Sequence, residues 1–143
     1  MTLYKIKFLT ALFLLSFCGI CRADEGYATA IKVETILKTS TDVAGKPIEY
    51  PKTGKPEVSG VMVEIPVGQS TGWHFHPNPC VAYLIQGQIT VEDAMGTKRQ
   101  FKAGDSFAEL VNVNHCGYNT GDQPVKIVMF VIGEVGIPIS QKQ

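Results

Sequence analysis

Residues 80–93 of this 143-residue chain read CVAYLIQGQITVED, and this stretch indicates the fold class. Two runs rich in β-branched and aromatic residues flank the pair Gln86-Gly87, a pattern typical of two strands joined by a tight turn. Runs of the same texture precede and follow it: VSGVMVEIPVG at 58–68, GTKRQFKAGDSFAELV at 96–111 and CGYNTGDQPVKIVMFVIGE at 116–134. Turn residues at 95–96, 103–105 and 120–122 punctuate these runs. No good helical window interrupts them, so the sequence predicts an all-β sandwich or barrel.

The N-terminal residues have the pattern of a secretory signal. Lys5 and Lys7 precede an apolar run over 8–20, which is too short to span a bilayer comfortably but suits the hydrophobic part of a signal. We predict cleavage between Ala23 and Asp24, so that residues 1–23 are removed and the mature protein is periplasmic or secreted. An uncleaved anchor is the alternative. Lipid attachment is disfavoured, because bulky residues precede both cysteines of this segment.

The mature chain is predicted to form one domain of about 120 residues, with a polar N-terminal arm at 24–57 and a barrel at 58–143. Removal of the three cations in the signal leaves ten basic and thirteen acidic side chains. A mildly acidic domain without a basic block argues against nucleic acid or an anionic membrane surface as its partner. Arg99 is the one arginine left, which limits any mechanism that needs a guanidinium clamp.

The three histidines of the chain point to a metal site. His74 and His76 stand one residue apart in TGWHFHPNPC at 71–80, and His115 lies at another boundary between a turn and a strand. Side chains two residues apart on a strand face the same side, so the first two imidazoles should lie side by side. Neutral imidazole is a common ligand for zinc, iron, copper, nickel and manganese, and three such ligands leave positions open for reaction. The alternative is that His74 and His76 are turn residues and His115 is an ordinary core histidine.

The spacing of these residues resembles the two sequence motifs of the cupins, which form double-stranded β-helix barrels. The first motif is matched by Gly68, His74, His76, Cys80 and Gly87, and the second by Gly104, His115 and Asn119. Cys80 stands where the first motif usually has glutamate, and Leu110 and Asn112 replace a proline and a glycine of the second. The resemblance extends over about 58–135. It implies an all-β cupin or jelly-roll barrel with an extended N-terminal arm, in which the three histidines hold one divalent metal ion.

Cys80 has the same strand parity as His74 and His76, so its thiol should face the same side as their imidazoles. Three roles are then possible for it. It could be a thiolate ligand, giving a site of three histidines and one cysteine that suits zinc or copper. It could be a thiol that faces a three-histidine iron without binding it, as in cupins that resemble thiol dioxygenases. It could also form a disulfide with Cys116, the default for two cysteines in an oxidising compartment. Cys116 directly follows His115, however, and should face away from the barrel interior.

Glu109 is the candidate catalytic residue. It lies six residues before His115 and shares its parity, so it could point into the barrel as a carboxylate ligand or a proton acceptor. An inward carboxylate in an apolar barrel would have a raised pKa unless it met a metal or a donor. The alternative is a solvent-facing glutamate on an outer strand.

The barrel interior is expected to be apolar. Met62, Phe107, Val128 and Phe130 are predicted to line it, although each of these assignments depends on the strand register. Such a lining would accept a small, mostly apolar or aromatic ligand.

The resemblance implies a metal-dependent cupin that binds or acts on a small molecule. The metal is expected to be Fe(II), with zinc, manganese, nickel or copper as alternatives, and the reaction to be of the dioxygenase type on a small bidentate substrate. The alternative function is a non-catalytic exported binding protein with a zinc-like site of three histidines and Cys80. Small cupins commonly form dimers, so a homodimer is expected in which the N-terminal arm adds a strand to the partner.

Overall fold

The computed structural model describes residues 31–52 and 54–142. The chain divides into two compact units, Met1–Glu34 and Thr35–Gln143, and the second contains all the strands of the described residues. The predicted signal at 1–23 lies outside the described residues, as does the start of the arm. Within the described residues, no helix is long and apolar enough to cross a membrane.

Nine strands and no helix are found among residues 31–52 and 54–142, which confirms the all-β prediction. In chain order the strands are β1 (Pro56–Ile65), β2 (His74–Phe75), β3 (Cys80–Gln86), β4 (Gln88–Asp93), β5 (Lys98–Lys102), β6 (Ser106–Ala108), β7 (His115–Asn119), β8 (Val125–Glu134) and β9 (Gln141–Lys142). The strand pair expected at 80–93 is β3 and β4, with Gly87 between them at a φ of 84°. A Cβ atom at Gly87 would lie 2.8 Å from the carbonyl oxygen of Pro124, so both backbone conformation and space require glycine here.

The strands form two sheets from antiparallel pairs. The order of the four-stranded sheet is β1-β8-β3-β6, and that of the five-stranded sheet is β5-β4-β7-β2-β9. Most neighbours in these sheets come from distant parts of the chain, as expected for a jelly-roll arrangement. The topology places β2 beside β7, and these are the strands that carry the two histidine motifs.

The core lies between the two sheets and follows the alternation of side chains along each strand. On β8 the buried side chains are Val125, Ile127, Met129 and Val131. On β3 they are Cys80, Ala82 and Leu84. Ile89 and Val91 of β4 face these residues from the other sheet, and the three strands share one apolar cluster. Period-two burial of this kind is what selects a single register.

The predicted barrel lining was correct for one side chain and wrong for three. Phe107 is buried, as expected. Met62 is 60% exposed and Phe130 is 51% exposed, and both lie on the outer face of the four-stranded sheet. Val128 is half-buried, but it pairs directly with Met62 and lies on the same outer face. The strands themselves were predicted correctly. For β1 and β8, however, the inward-facing positions were predicted one residue away from where they lie, and a shift of one residue exchanges the two faces of a strand.

Residues 41–47 of the arm pack on the barrel of their own chain. An isolated bridge joins Thr41 to Pro47, and the carboxylate of Asp42 accepts hydrogen bonds from two backbone amides inside this turn. The amide of Val43 donates to the carbonyl of Ala108, and the Val43 side chain contacts the core cluster. This part of the arm therefore caps the end of β6, a strand at the edge of its sheet.

Candidate metal centre

The three histidines come together at one point of the five-stranded sheet. His74 on β2 is directly opposite His115 on β7, and His76 follows in a single bridge to Val111. The ring centroids of His74 and His115 are 4.5 Å apart, and the third ring lies 5.0 Å and 5.2 Å from them. One ligating atom from each ring can be chosen so that all three lie within 4.8 Å of one another. The predicted cluster is therefore present, with one partly and two fully buried members.

Backbone carbonyls fix the tautomer of all three rings. The Nδ1 atoms of His74, His76 and His115 donate to the carbonyls of Gly72, Ile139 and Val113 at 2.9, 2.7 and 2.8 Å. A carbonyl can only accept, so each Nδ1 carries the proton and each Nε2 offers a lone pair. Metal-ligating histidines usually have this anchoring of the second nitrogen, which sets ring orientation.

Burial keeps two of the imidazoles in the neutral form that binds metals. Desolvation lowers the pKa of His115 to about 4, with smaller contributions from the neighbouring His74 and His76. Desolvation also lowers the pKa of His76, against the opposing effect of its hydrogen bond to Ile139. Neutral imidazoles with free Nε2 atoms are the donor set that a divalent transition metal requires, so the residues present fit such an ion.

Glu109 faces the histidines and not solvent. Glu109 comes directly after β6 in the chain, and its side chain is 11% exposed, with Oε2 at 3.6 Å from Nε2 of His115. Burial raises the pKa of Glu109 to about 7. The sequence allowed either an inward or a solvent-facing side chain at Glu109, and the structure has the inward one. The catalytic role of Glu109 stays a prediction.

Cys80 and Cys116 are both buried free thiols, and they are not joined in a disulfide. Cys80 faces the core, as its parity predicted, and its thiol donates to the carbonyl of Asn78 at 3.3 Å. Burial, with a smaller contribution from Glu109, raises the pKa of Cys80 to about 12. Its sulfur is not part of the histidine cluster found among the described residues. A direct bond from Cys80 to the metal stays a prediction.

An open cavity of about 470 Å³ contains the site. Its polar end holds the three histidines and Glu109, and its apolar wall is formed by Val61, Val63, Ile65, Ile89, Ile127 and Met129. The polar residues Glu64, Ser70, Thr71, Ser140 and Lys142 also line the cavity. This volume is in the range of small-ligand pockets, in which an apolar wall surrounds a few convergent polar groups.

The C-terminal segment is a part of the site that the sequence analysis missed. Strand β9 pairs with β2, with Lys142 opposite His74, and the carbonyl of Ile139 holds the ring of His76. The alternating isoleucines at 137 and 139 were the available signal, but two residues are too few to define a strand.

The loop before His115 was predicted from the second motif. Asn112, at the usual glycine position, has a φ of 55°, and its amide donates a hydrogen bond to the His76 carbonyl. Asn tolerates this left-handed conformation better than most residues.

Deleting residues 137–143 is expected to weaken metal binding about 10- to 100-fold, because His76 loses the carbonyl that orients its ring. Zinc affinity measured by competition with a chelator would report this. The matched control is Gln141→Ala, which changes an exposed side chain outside the cavity lining and leaves the backbone of the segment in place. Equal affinity in the truncated and full-length proteins would contradict the assigned role of Ile139.

Comparison with known proteins agrees with this geometry. Residues 61–131 match the family model for the cupin domain. Among solved structures, a Klebsiella pneumoniae protein with a double-stranded beta-helix domain is 22% identical, over 64% of this chain and 82% of that chain, with a TM-score of 0.53. A Bacillus halodurans protein is 17% identical over 53% of this chain, with a TM-score of 0.50. This chain covers 62% of that protein.

The oxalate decarboxylase of Lactobacillus farciminis, solved as a formate complex, is 26% identical over 59% of this chain and 26% of that chain, with a TM-score of 0.51. No curated protein matches the sequence. The fold, the family match and the histidine cluster together identify the chain as a member of the cupin superfamily with a single cupin domain. The predicted double-stranded β-helix fold is thereby confirmed.

Proposed function

We propose that this cupin domain binds one divalent metal ion through His74, His76 and His115 and acts on a small molecule held against it. The observation that carries the proposal is the convergence of three Nε2 lone pairs on one open cavity beside a buried carboxylate. Fe(II) is the favoured ion, and zinc, manganese, nickel and copper are the alternatives.

The proposed reaction is of the oxygenase type on a substrate with two adjacent oxygen atoms. A bound ion supplies Lewis acidity and open coordination positions for the substrate and dioxygen. The residues of the chain would position the substrate: the three histidines and Glu109 form the polar end of the cavity, and its apolar wall would contact the body of the substrate. Glu109 stands at the polar end, where a carboxylate can bind the ion or accept a proton from a substrate hydroxyl.

Small carboxylates and other bidentate oxygen compounds are the first ligands to screen. The Lactobacillus farciminis relative is an oxalate decarboxylase and was solved with formate, which supports this class. An extended dicarboxylate would need several cationic partners, and among the described residues Lys142 is the one lysine or arginine that lines this cavity, whose wall is otherwise mainly apolar. We therefore favour a substrate with one bidentate oxygen pair and an apolar body.

The deciding experiment is elemental analysis of protein purified without oxygen, followed by oxygen-uptake assays on that ligand class. We expect about one metal ion per chain, and Fe(II)-loaded protein should consume oxygen with at least one of the ligands. One zinc ion per chain with ligand binding but no oxygen uptake would instead favour the binding protein. Wild-type protein that takes up none of these metals would overturn the proposal.

Export is also proposed, with residues 1–23 removed and Asp24 as the mature N-terminus. The charged, apolar and small-residue regions of the N-terminal sequence support it. The mass of the mature protein, isolated from the periplasm or medium, reports the cleavage position directly.

The outer face of the four-stranded sheet is proposed as a homodimer interface. Its exposed apolar side chains are Val58, Met62, Val81, Tyr83, Ile85 and Phe130. Together they expose apolar area on the order of 500 Å², near the upper end for the largest patch on a monomer. With a polar rim this approaches the roughly 800 Å² per partner of a stable interface, and a second copy offers the same patch to a two-fold axis. The corresponding side of β5 carries Lys98, Gln100 and Lys102, so the apolar character is specific to one sheet.

Phe130→Glu, in the centre of that outer face, is expected to convert the dimer into a monomer, because two carboxylates would meet across the two-fold axis. Light scattering at several protein concentrations would show the halved mass. Gln100→Glu, on the exposed side of β5, is the matched control and should remain dimeric. Wild-type protein that is monomeric at all concentrations, or a dimeric Phe130→Glu variant, would contradict this interface.

A further inference from the structure

The carboxylate of Glu109 is buried without a hydrogen-bond partner for one of its oxygens. Among the described residues Oε2 has no such partner, and the residue is only 9% exposed. The polar atom that this oxygen approaches is Nε2 of His115, at 3.6 Å, and this Nε2 carries no proton. When the carboxylate is ionised, two lone pairs therefore face each other in a buried site, an arrangement that is unfavourable unless a proton or a metal cation lies between or beside them.

Glu109 reaches this place from the strand opposite Cys80. Residues Val81 and Ala108 are direct partners in the β3-β6 ladder, and the amide of Glu109 donates to the carbonyl of Cys80 at 2.9 Å. Positions 80 and 109 are thus the next opposed pair. Side chains of directly opposed residues lie on the same face of a sheet with Cβ atoms about 5 Å apart. A carboxylate at 109 can therefore serve the same region as a carboxylate at 80.

The two side chains at this opposed pair have different neighbours. Glu109 lines the histidine cavity, whereas Cys80 lines a separate cavity of about 360 Å³ beside Leu37, Ile48 and Tyr50 of the arm. Glu109 borders both cavities. Glu109 is thus the member of this pair that reaches the histidine cluster.

We propose that Glu109 supplies the carboxylate of the metal centre, delivered across the β3-β6 pair in place of a carboxylate at position 80, while Cys80 packs behind it as a neutral thiol. This inference rests on the proposed metal site and adds a fourth protein donor to it. Three neutral imidazoles leave the full charge of a divalent ion uncompensated in a buried cavity, and one adjacent carboxylate offsets half of that charge. Glu109 is buried, faces the histidines and lies in reach of the ion's position, whereas the Cys80 thiol is turned to the carbonyl of Asn78.

The first test compares Glu109→Gln with Cys80→Ser in zinc and cobalt(II) affinity, measured by chelator competition. Glu109→Gln keeps the shape of the side chain and removes its charge. We expect this variant to lower the affinity for both zinc and cobalt(II) by about 100-fold or more. Cys80→Ser should change the affinity by less than about threefold, because the thiol is not a donor in this proposal. Thermal unfolding of the metal-free proteins controls for loss of fold.

The second test returns the carboxylate to the other strand. The exchanged variant Cys80→Glu with Glu109→Cys keeps the same two residue types in the opposed pair. Its affinity for zinc should recover to within about tenfold of the wild type, because opposed positions on one face reach a common region. A purely structural role of Glu109 would predict no recovery, since the exchange repairs the charge at the ion and not the original packing.

The absorption spectrum of the cobalt(II)-loaded protein also tests the competing assignment, in which the Cys80 thiolate binds the metal. Coordinated thiolate gives an intense near-ultraviolet charge-transfer band, which carboxylate and imidazole do not give. We expect no such band in the wild-type protein, and a change of the visible cobalt spectrum in Glu109→Gln. A thiolate band that disappears in Cys80→Ser, or unchanged affinity in Glu109→Gln, would overturn the inference while leaving the three-histidine site intact. Failure of the wild type to bind either ion would instead remove the proposed function itself.

Discussion

Replacing His115 by alanine is expected to abolish tight metal binding and the thermal stabilisation that accompanies it. His115 is 2% exposed and lies directly opposite His74, so its loss removes one of three donors with no nearby imidazole to replace it. An ion present at 100 times its dissociation constant stabilises the folded state by about 2.7 kcal/mol. For a domain of about 120 residues, an unfolding entropy of about 2.1 cal/mol/K per residue converts this into a rise in melting temperature of roughly 10 °C. We expect this rise in the wild-type protein on addition of zinc, and essentially none in His115→Ala.

The measured quantity should be the shift caused by zinc within each variant and not the melting temperature of the metal-free protein. Removing a buried ring leaves a cavity and lowers stability for reasons unrelated to the ion. His74→Ala, at a partly exposed ring, gives a second test with a smaller packing cost. Met95→Ala, in the exposed β4–β5 turn, is the control that should keep the full shift. A zinc-induced shift that survives in both histidine variants would locate the ion elsewhere.

The sequence was sufficient to predict the histidine cluster because two simple constraints acted together. Two-residue spacing put His74 and His76 on one face even though β2 itself has two residues only. The motif intervals then predicted that His115 would join them, and the structure pairs it with His74 across β2 and β7. The short strands around Gly87 and in 116–134 were equally predictable from β-branched runs and turn residues.

The orientation of Glu109 could not be predicted in the same way, because its parity is counted through an irregular segment. Strand β6 ends at Ala108, and the path from there to His115 passes through Asn112 with its positive φ, so an even separation carries little meaning. What decides the orientation is a tertiary contact, the backbone hydrogen bond between Glu109 and Cys80. Met62 and Phe130 were assigned to the interior for a related reason: on a strand apolar on both faces, composition does not identify the buried face.

Glu109→Gln is expected to stabilise the metal-free protein by about 3 kcal/mol above pH 7 and to leave its stability nearly unchanged near pH 4.5. Burial raises the pKa of Glu109 to about 7 in the folded protein, against an ordinary value of 4.5. Between these two values the unfolded chain has lost its proton while the folded chain still holds it. The folded state is therefore progressively destabilised as pH rises from about 4.5 to 7, and the full cost of about 3 kcal/mol is present above pH 7. Glutamine has no proton to lose and is free of this cost.

Urea unfolding of both proteins at pH 4.5, 6 and 8 would measure the difference. His115 acts in the opposite direction, because its folded pKa of about 4 lies below the ordinary 6.5, so its stabilising contribution is lost as pH falls from 6.5 to 4. Because His115 is present in both proteins, its contribution largely cancels in the comparison, although the wild-type curve alone would show the two effects opposing each other. A stability difference independent of pH would mean that the carboxylate is already ionised and solvated in the folded protein. Saturating zinc should remove or reverse the advantage of glutamine at pH 8, because an adjacent cation favours the charged carboxylate.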